Sequence, residues 1–140
     1  MLENSKEAHN GSKRILIIDD DQFILRILKM KLEEGGYQVF VARDGCEGLE
    51  NVKRYSPHLL ITDVNMPRMD GLKLCKIINE LQDDNPEIIV ISSLIDRCLR
   101  EKIEGFPNVV FLDKPISPKK ILSVVHSCLM SGERKRNHKR

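Results

Sequence analysis

Five short apolar runs, rich in β-branched residues, set what this chain can fold into: Arg14–Ile18, Tyr37–Ala42, His58–Thr62, Glu87–Ile91 and Asn108–Leu112. Four of them are close to continuous in their apolar character rather than alternating. A strand with one wet face alternates, whereas a continuous run suits a strand covered on both faces. The segments between the runs carry helical spacing. Leu25, Leu28 and Leu32 make a stripe that Gly35-Gly36 closes. Asp44 and Glu47 stand at N-cap and N3 spacing, followed by Leu49 and Val52. A third helix is predicted from about Leu72 to Leu81, and a short charged fourth from Ile95 to about Ile103. The last opens on Ser117-Pro118, a cap with proline at the first helical position, and continues through Ile121, Leu122, Val125, Cys128 and Leu129. Strict β-α alternation predicts an α/β fold with a parallel sheet, right-handed crossovers and helices on both faces.

The 140 residues amount to one domain, long enough to bury a core without staples, and 41% are hydrophobic, an ordinary globular value. Residues 1–12 and 131–140 read as a flexible arm and a basic tail around a domain of 13–130. No apolar run approaches the ~20 residues of a membrane span. Met1 to Lys13 is polar and lacks a signal peptide's apolar stretch, so the expected location is the cytoplasm. Cys46, Cys75, Cys98 and Cys128 are scattered among helix-like apolar residues, with no CxxC pair, and read as reduced, buried hydrophobes. The formal charge of +2 is uneven. The last ten residues hold five basic side chains against Glu133, a sum of +4, which leaves −2 for the rest. Such a tail can attract nucleic acid or anionic membrane, but no base-reading element accompanies it, and direct nucleic-acid binding is not expected.

In an open parallel sheet, ligands bind outside the carboxyl ends of the strands. There the first strand ends in Asp19-Asp20-Asp21, the third in Asp63, the fourth in Ser92-Ser93, and the fifth near Lys114-Pro115. Carboxylates gathered at one rim repel each other unless a cation offsets them. All-oxygen donors without nearby His or Cys favour a hard ion, and Mg²⁺ fits best because it uses one or two carboxylates, keeps waters and takes a phosphate oxygen. A carboxylate can attack as a nucleophile, while a hydroxyl and an ammonium beside the ion suit a transferring phosphoryl group. Each piece alone has a bland reading: Asp at a strand end caps helices, Ser makes turns, and Lys-Pro is common. The information lies in their joint placement on strands one, three, four and five.

With these residues in place, the stretch Ile61-Thr62-Asp63-Val64-Asn65-Met66-Pro67-Arg68-Met69-Asp70-Gly71 resembles the phosphoacceptor strand and following loop of response-regulator receiver domains, a CheY-like family of two-component phosphorelays. The resemblance covers roughly Lys13 to Met130. It implies a flavodoxin-like (βα)5 fold with strand order 2-1-3-4-5. It implies Asp63 as phosphoacceptor, Asp20 and the Asn65 backbone carbonyl as further Mg²⁺ ligands, and Asp19 acting on the ion through water. It makes Lys114 the phosphoryl contact, ahead of a cis peptide to Pro115, Ser92 the switch hydroxyl, and Phe111 the aromatic switch residue. The phosphoryl donor would be a phosphohistidine on a sensor histidine kinase or histidine phosphotransfer protein. The output would be a downstream protein reading the face of the fourth helix, fifth strand and fifth helix, from a monomer or a phosphorylation-dependent dimer. The domain would not be an enzyme beyond its own phosphotransfer and dephosphorylation, and is expected to stand alone.

The chain departs from the family at Ser93, where a small residue such as Ala is usual, and at Leu94. With Asn65, these positions bear on the hydrolytic water and so on the dephosphorylation rate. The segment Glu101–Asn108 lacks the usual Ala-Gly type of ending, and the switch hydroxyl is Ser rather than Thr. Two other readings compete. A haloacid-dehalogenase-type phosphatase would need Thr or Val where Phe23 follows Asp19-Asp20-Asp21-Gln22, and a cap insertion that is not visible. A binding module without phosphotransfer would have lost the acceptor, the metal acids or the lysine, and all are present.

Overall fold

A computed structural model describes residues 13–64, 69–81, 85–92, 101, 105–115 and 117–138, with the side chains of 92 and 132–138 not included. Five strands, β1 (Arg14–Ile18), β2 (Gln38–Ala42), β3 (Leu59–Asp63), β4 (Glu87–Ser92) and β5 (Val109–Asp113), form one all-parallel sheet of order β2-β1-β3-β4-β5. This is the fold expected from the alternation and the resemblance. Four helices are described, α1 (Gln22–Glu34), α2 (Gly45–Tyr55), α3 (Gly71–Leu81) and α4 (Pro118–His138). The fourth predicted helix, over Ile95 to Ile103, lies outside the described residues apart from Glu101, whose backbone is helical.

Pleating sorts the apolar runs into two cores. Ile15, Ile17, Leu59, Ile61, Ile89 and Ile91 meet Leu25, Leu28 and Leu32 of α1 and Ile121, Val125 and Leu129 of α4. Leu16, Ile18, Leu60, Ile88 and Val90 turn to the other side, against Val52 of α2 and Leu74, Cys75 and Ile78 of α3. This two-sided burial is why the runs do not alternate. Each fully buried Leu or Ile contributes about 1.5–3 kcal/mol relative to an exposed one.

The caps read from sequence are in place. The Asp44 side chain accepts from the Glu47 N–H at 2.9 Å, and Ser117 Oγ accepts from the Lys120 N–H at 3.1 Å. Gly35 closes α1, its N–H reaching the carbonyl oxygens of Lys31 and Leu32. The basic stretch after Met130 does not leave the helix backbone: α4 continues through it to His138. Cations at a helix C-terminus are favoured by the aligned carbonyl dipoles. Among the described residues no helix is long and apolar enough to cross a membrane.

Candidate functional site

β1 carries the first acids to the carboxyl rim of the sheet. The Asp19 N–H prolongs the ladder by bonding to the Ala42 carbonyl at 3.1 Å, which fixes Asp19 at the strand mouth. Its carboxylate accepts from the Asp21 N–H at 2.9 Å. The Asp21 carboxylate instead caps α1, accepting from the N–H groups of Phe23 at 2.9 Å and Ile24 at 3.4 Å. The acidic run thus divides, with two acids for the rim and one for the helix.

Asp63 ends β3 and is 8% exposed. The backbone around it is braced on two sides. The Val64 N–H donates to the Ile91 carbonyl at 3.2 Å, and the Gly71 N–H donates to the Val64 carbonyl at 3.0 Å. A Cβ on Gly71 would stand 2.5 Å from the Asp63 carbonyl oxygen, so only glycine lets α3 begin this close to the acceptor strand. The fully buried Thr62 hydroxyl donates to the same carbonyl at 3.0 Å. The sequence reading missed this role of Gly71, because a glycine opening a helix reads the same whether or not backbone crowds it.

Lys114 reaches over from the end of β5, its Nζ 2.8 Å from Asp63 Oδ2. The peptide between Lys114 and Pro115 is cis. Asp19, Asp20 and Asp63 each present a carboxylate oxygen within 4.8 Å of the others. Burial pushes the Asp19 carboxyl above its ordinary range, and the neighbouring charge of Asp63 adds to this against the lowering bond from Asp21. Burial pulls the Lys114 ammonium down, but the hydrogen bond and charge of Asp63, with Asp19 and Asp20 behind it, outweigh this and raise its pKa.

The other predicted site residues are distributed as follows. Ser92 is the last residue of β4, in register with Asp113. Phe111 pairs with Val90 in the middle of β5 and packs, half-buried, on the α2–α3 core. Asn65 lies outside the described residues, as do Ser93 and Leu94. Among the described residues the three carboxylates form an all-oxygen donor set offset by one ammonium, which fits a hard divalent cation of the Mg²⁺ kind.

The family model described as response regulator receiver domain matches residues 15–126. The chain belongs to that family. Among its relatives, the receiver is 34% identical over 118 residues to the response regulator MprA of Mycobacterium leprae, covering 83% of this chain and 50% of that protein. It is 30% identical over 130 residues to the alkaline phosphatase synthesis transcriptional regulatory protein PhoP of Bacillus subtilis, covering 87% of this chain and 50% of that one. The chain therefore spans about half the length of these two relatives. The structure of a CheY-like receiver domain protein from Methanospirillum hungatei superposes with a TM-score of 0.81 at 27% identity, over 88% of this chain and 98% of that one. The chemotaxis response regulator CheY4 of Vibrio cholerae gives 0.76 at 25% identity, over 83% and 98%. Receivers of this family generally bind Mg²⁺ at an acidic pocket, and the Asp19, Asp20 and Asp63 cluster is the corresponding feature here.

Proposed function

We propose that this receiver takes a phosphoryl group onto Asp63 from a phosphohistidine of a sensor histidine kinase or histidine phosphotransfer protein. The observation that carries this reading is the 2.8 Å pair of Lys114 and Asp63 in the same corner as Asp19 and Asp20. An Asp63 carboxylate oxygen attacks phosphorus, the P–N bond breaks, and the imidazole leaves with its electron pair. Lys114 shifts part of its hydrogen bonding from Oδ2 to a phosphoryl oxygen, which compensates the growing charge without a new cation having to move in. Asp20, Asp63 and the Asn65 backbone carbonyl would hold Mg²⁺, with Asp19 ordering its water; the bound ion supplies charge neutralisation at the phosphoryl oxygens.

The acyl phosphate adds about −1.5 to −2 charges at the rim. Ser92, at the end of β4, is the hydroxyl that would bond to it. The half-buried position of Phe111 makes its ring the element that could repack in response. The output is a change of the face formed by the fourth predicted helix, β5 and α4, read by a downstream protein. In this reading the domain turns over no substrate beyond its own phosphorylation and dephosphorylation, and it works in the cytoplasm, where Cys46, Cys75 and Cys128 are free thiols. The half-length match to longer relatives, one of them named for transcriptional regulation, favours a second reading of the output: a further domain in a longer protein in place of a free-standing receiver.

The test is intact mass after incubation with acetyl phosphate, with and without Mg²⁺. The expected result is one phosphoryl group gained only with Mg²⁺ and only when Asp63 is present, so that Asp63→Ala stays unlabelled. A native chain that binds Mg²⁺ yet gains no mass is a module that binds its partner unmodified.

A further inference from the structure

Beneath the acid rim the structure holds a cavity of about 330 Å³ that phosphotransfer does not require. Its floor is Ile17, Ile61 and Ile91 on the inner ends of β1, β3 and β4. Ile24 and Leu28 of α1 form one side, and Pro118 and Ile121 of α4 the other. Among the described residues, the polar part of the lining is Asp19, Asp21, Asp63 and Lys114 at the rim. Small-molecule sites commonly enclose ~300–1,000 Å³, with apolar walls and a few convergent polar groups. An apolar cavity of ~150 Å³ already holds a benzene ring, so this one takes a ring with a substituent.

The charge at the mouth selects the ligand. Among the described lining residues three carboxylates accompany one ammonium, and that ammonium is already committed to Asp63 at 2.8 Å. Asp21 keeps a carboxylate oxygen beyond the one that caps α1, since both backbone donors go to Oδ1. A ligand with an apolar body and a cationic head would place its hydrocarbon against the isoleucines and its charge among Asp19, Asp21 and Asp63. A neutral ligand would leave the mouth unbalanced, and an anionic one would be repelled by it.

We propose that this cavity is a binding site for a small amphipathic cation, an aromatic or short alkyl body bearing an ammonium or amidinium, and that its occupancy excludes the divalent cation from the rim. The exclusion rests on the Mg²⁺ reading given above; the cavity and its charged mouth do not. By linkage the antagonism is reciprocal, so Mg²⁺ weakens the ligand as much as the ligand weakens Mg²⁺.

Titration of the full chain with benzamidine, followed by amide NMR shifts and calorimetry, tests this. The expected result is saturable binding to the metal-free protein, with shifts at Ile17, Ile24, Leu28 and Ile121. Benzamide, the uncharged counterpart, should bind at least about tenfold more weakly, as befits loss of a charge-assisted hydrogen bond. Asp21→Asn keeps a good helix cap and should weaken benzamidine while leaving the Mg²⁺ titration unchanged. Ile24→Phe, on the half-buried wall, should fill the space and abolish benzamidine binding; its melting curve shows that the variant is folded, and Leu28→Phe serves as its replacement if it is not. No saturable binding, equal affinity for benzamide, or benzamidine binding that survives both filling variants would overturn the site. Benzamidine binding that saturating Mg²⁺ does not weaken overturns the exclusion. A chain that binds benzamidine but never Mg²⁺ removes the exclusion together with the metal reading, and the benzamide comparison then decides the cavity by itself.

Discussion

The two ends of the sheet handle polar groups in opposite ways. At the amino end, donors meet acceptors. The Arg14 guanidinium donates to the carbonyls of Tyr55 at 2.9 Å and Ser56 at 3.0 Å, which closes the C-terminus of α2. The Arg14 N–H donates to His58 Nδ1 at 3.0 Å, and the His58 N–H returns a bond to the Arg14 carbonyl at 2.8 Å. Asn108 Nδ2 reaches the Pro86 carbonyl at 2.7 Å. At the carboxyl end, among the described residues, acceptors face acceptors: three carboxylates offer oxygens within 4.8 Å of one another, against one ammonium. The same strands therefore end once in a seam of paired donors and acceptors, to which the unpartnered, buried Asn108 Oδ1 is the exception, and once in a surplus of negative charge that an added cation would offset. Stability is built into the first end and ligand affinity into the second.

The contrast can be broken from either side. The largest expected effect is on the surplus itself: Asp20→Ala lowers Mg²⁺ affinity by more than about 100-fold, the upper range for groups that only support a ligand. Calorimetry is the suitable measurement, since the chain has no tryptophan to report binding. Gly71→Ala comes next. Its new methyl group meets the Asp63 carbonyl and should cost about 1–3 kcal/mol in urea unfolding, as overpacking does, with a loss of Mg²⁺ affinity because the acceptor strand is displaced. Arg14→Met attacks the closed end. Removing a charged donor from two carbonyls should cost about 1.5–3 kcal/mol and leave the Mg²⁺ titration unaltered; a matching fall in Mg²⁺ affinity would show that the two ends are coupled.

The smallest effect is on the ion pair, and it depends on pH. Lys114 has its pKa raised above the ordinary 10.5 on folding. Its contribution to stability is therefore fully present below that value and is lost as pH rises through the folded one. The difference in melting temperature between the native chain and Lys114→Met should stay level from neutral pH to about 10 and shrink beyond it. A difference that shrank on acidification within the neutral range would mean that another group carries the pairing.

The strands were legible because burial on both faces leaves apolar runs that no helix period explains. Their limits shifted by a residue at the strand ends, as at His58, which precedes β3 yet donates to the Arg14 carbonyl and accepts from the Glu87 N–H. Asp44 and Ser117 were legible as caps because their side chains act within three residues. The gathering of Asp19, Asp20, Asp63 and Lys114 was legible because parallel topology brings every strand's carboxyl end to one rim. What the sequence did not disclose depends on close approach between distant segments. Gly71 against the Asp63 carbonyl is such a case, as are the Arg14 seam and the cavity between α1 and α4. Helical spacing says which side chains face inward, not how near the facing elements come. The separate role of Asp21 was hidden for a related reason, since an acid that caps and an acid that faces a cation look alike in a run of three.

The course of α4 has a mechanical corollary. It starts beside the rim, where Pro118 and Ile121 wall the cavity, and just past its middle it lies next to Glu87 at the opposite edge, where Cys128 and Ser131 line a shallow groove. Its 21 residues span roughly 31 Å at ~1.5 Å each. β1 also begins at that edge, and the last turns of α4 run on beyond Ser131. Cargo fixed to the end of α4 would be held a helix length from the rim. To affect such cargo, an event at Asp63 must be relayed along a rod.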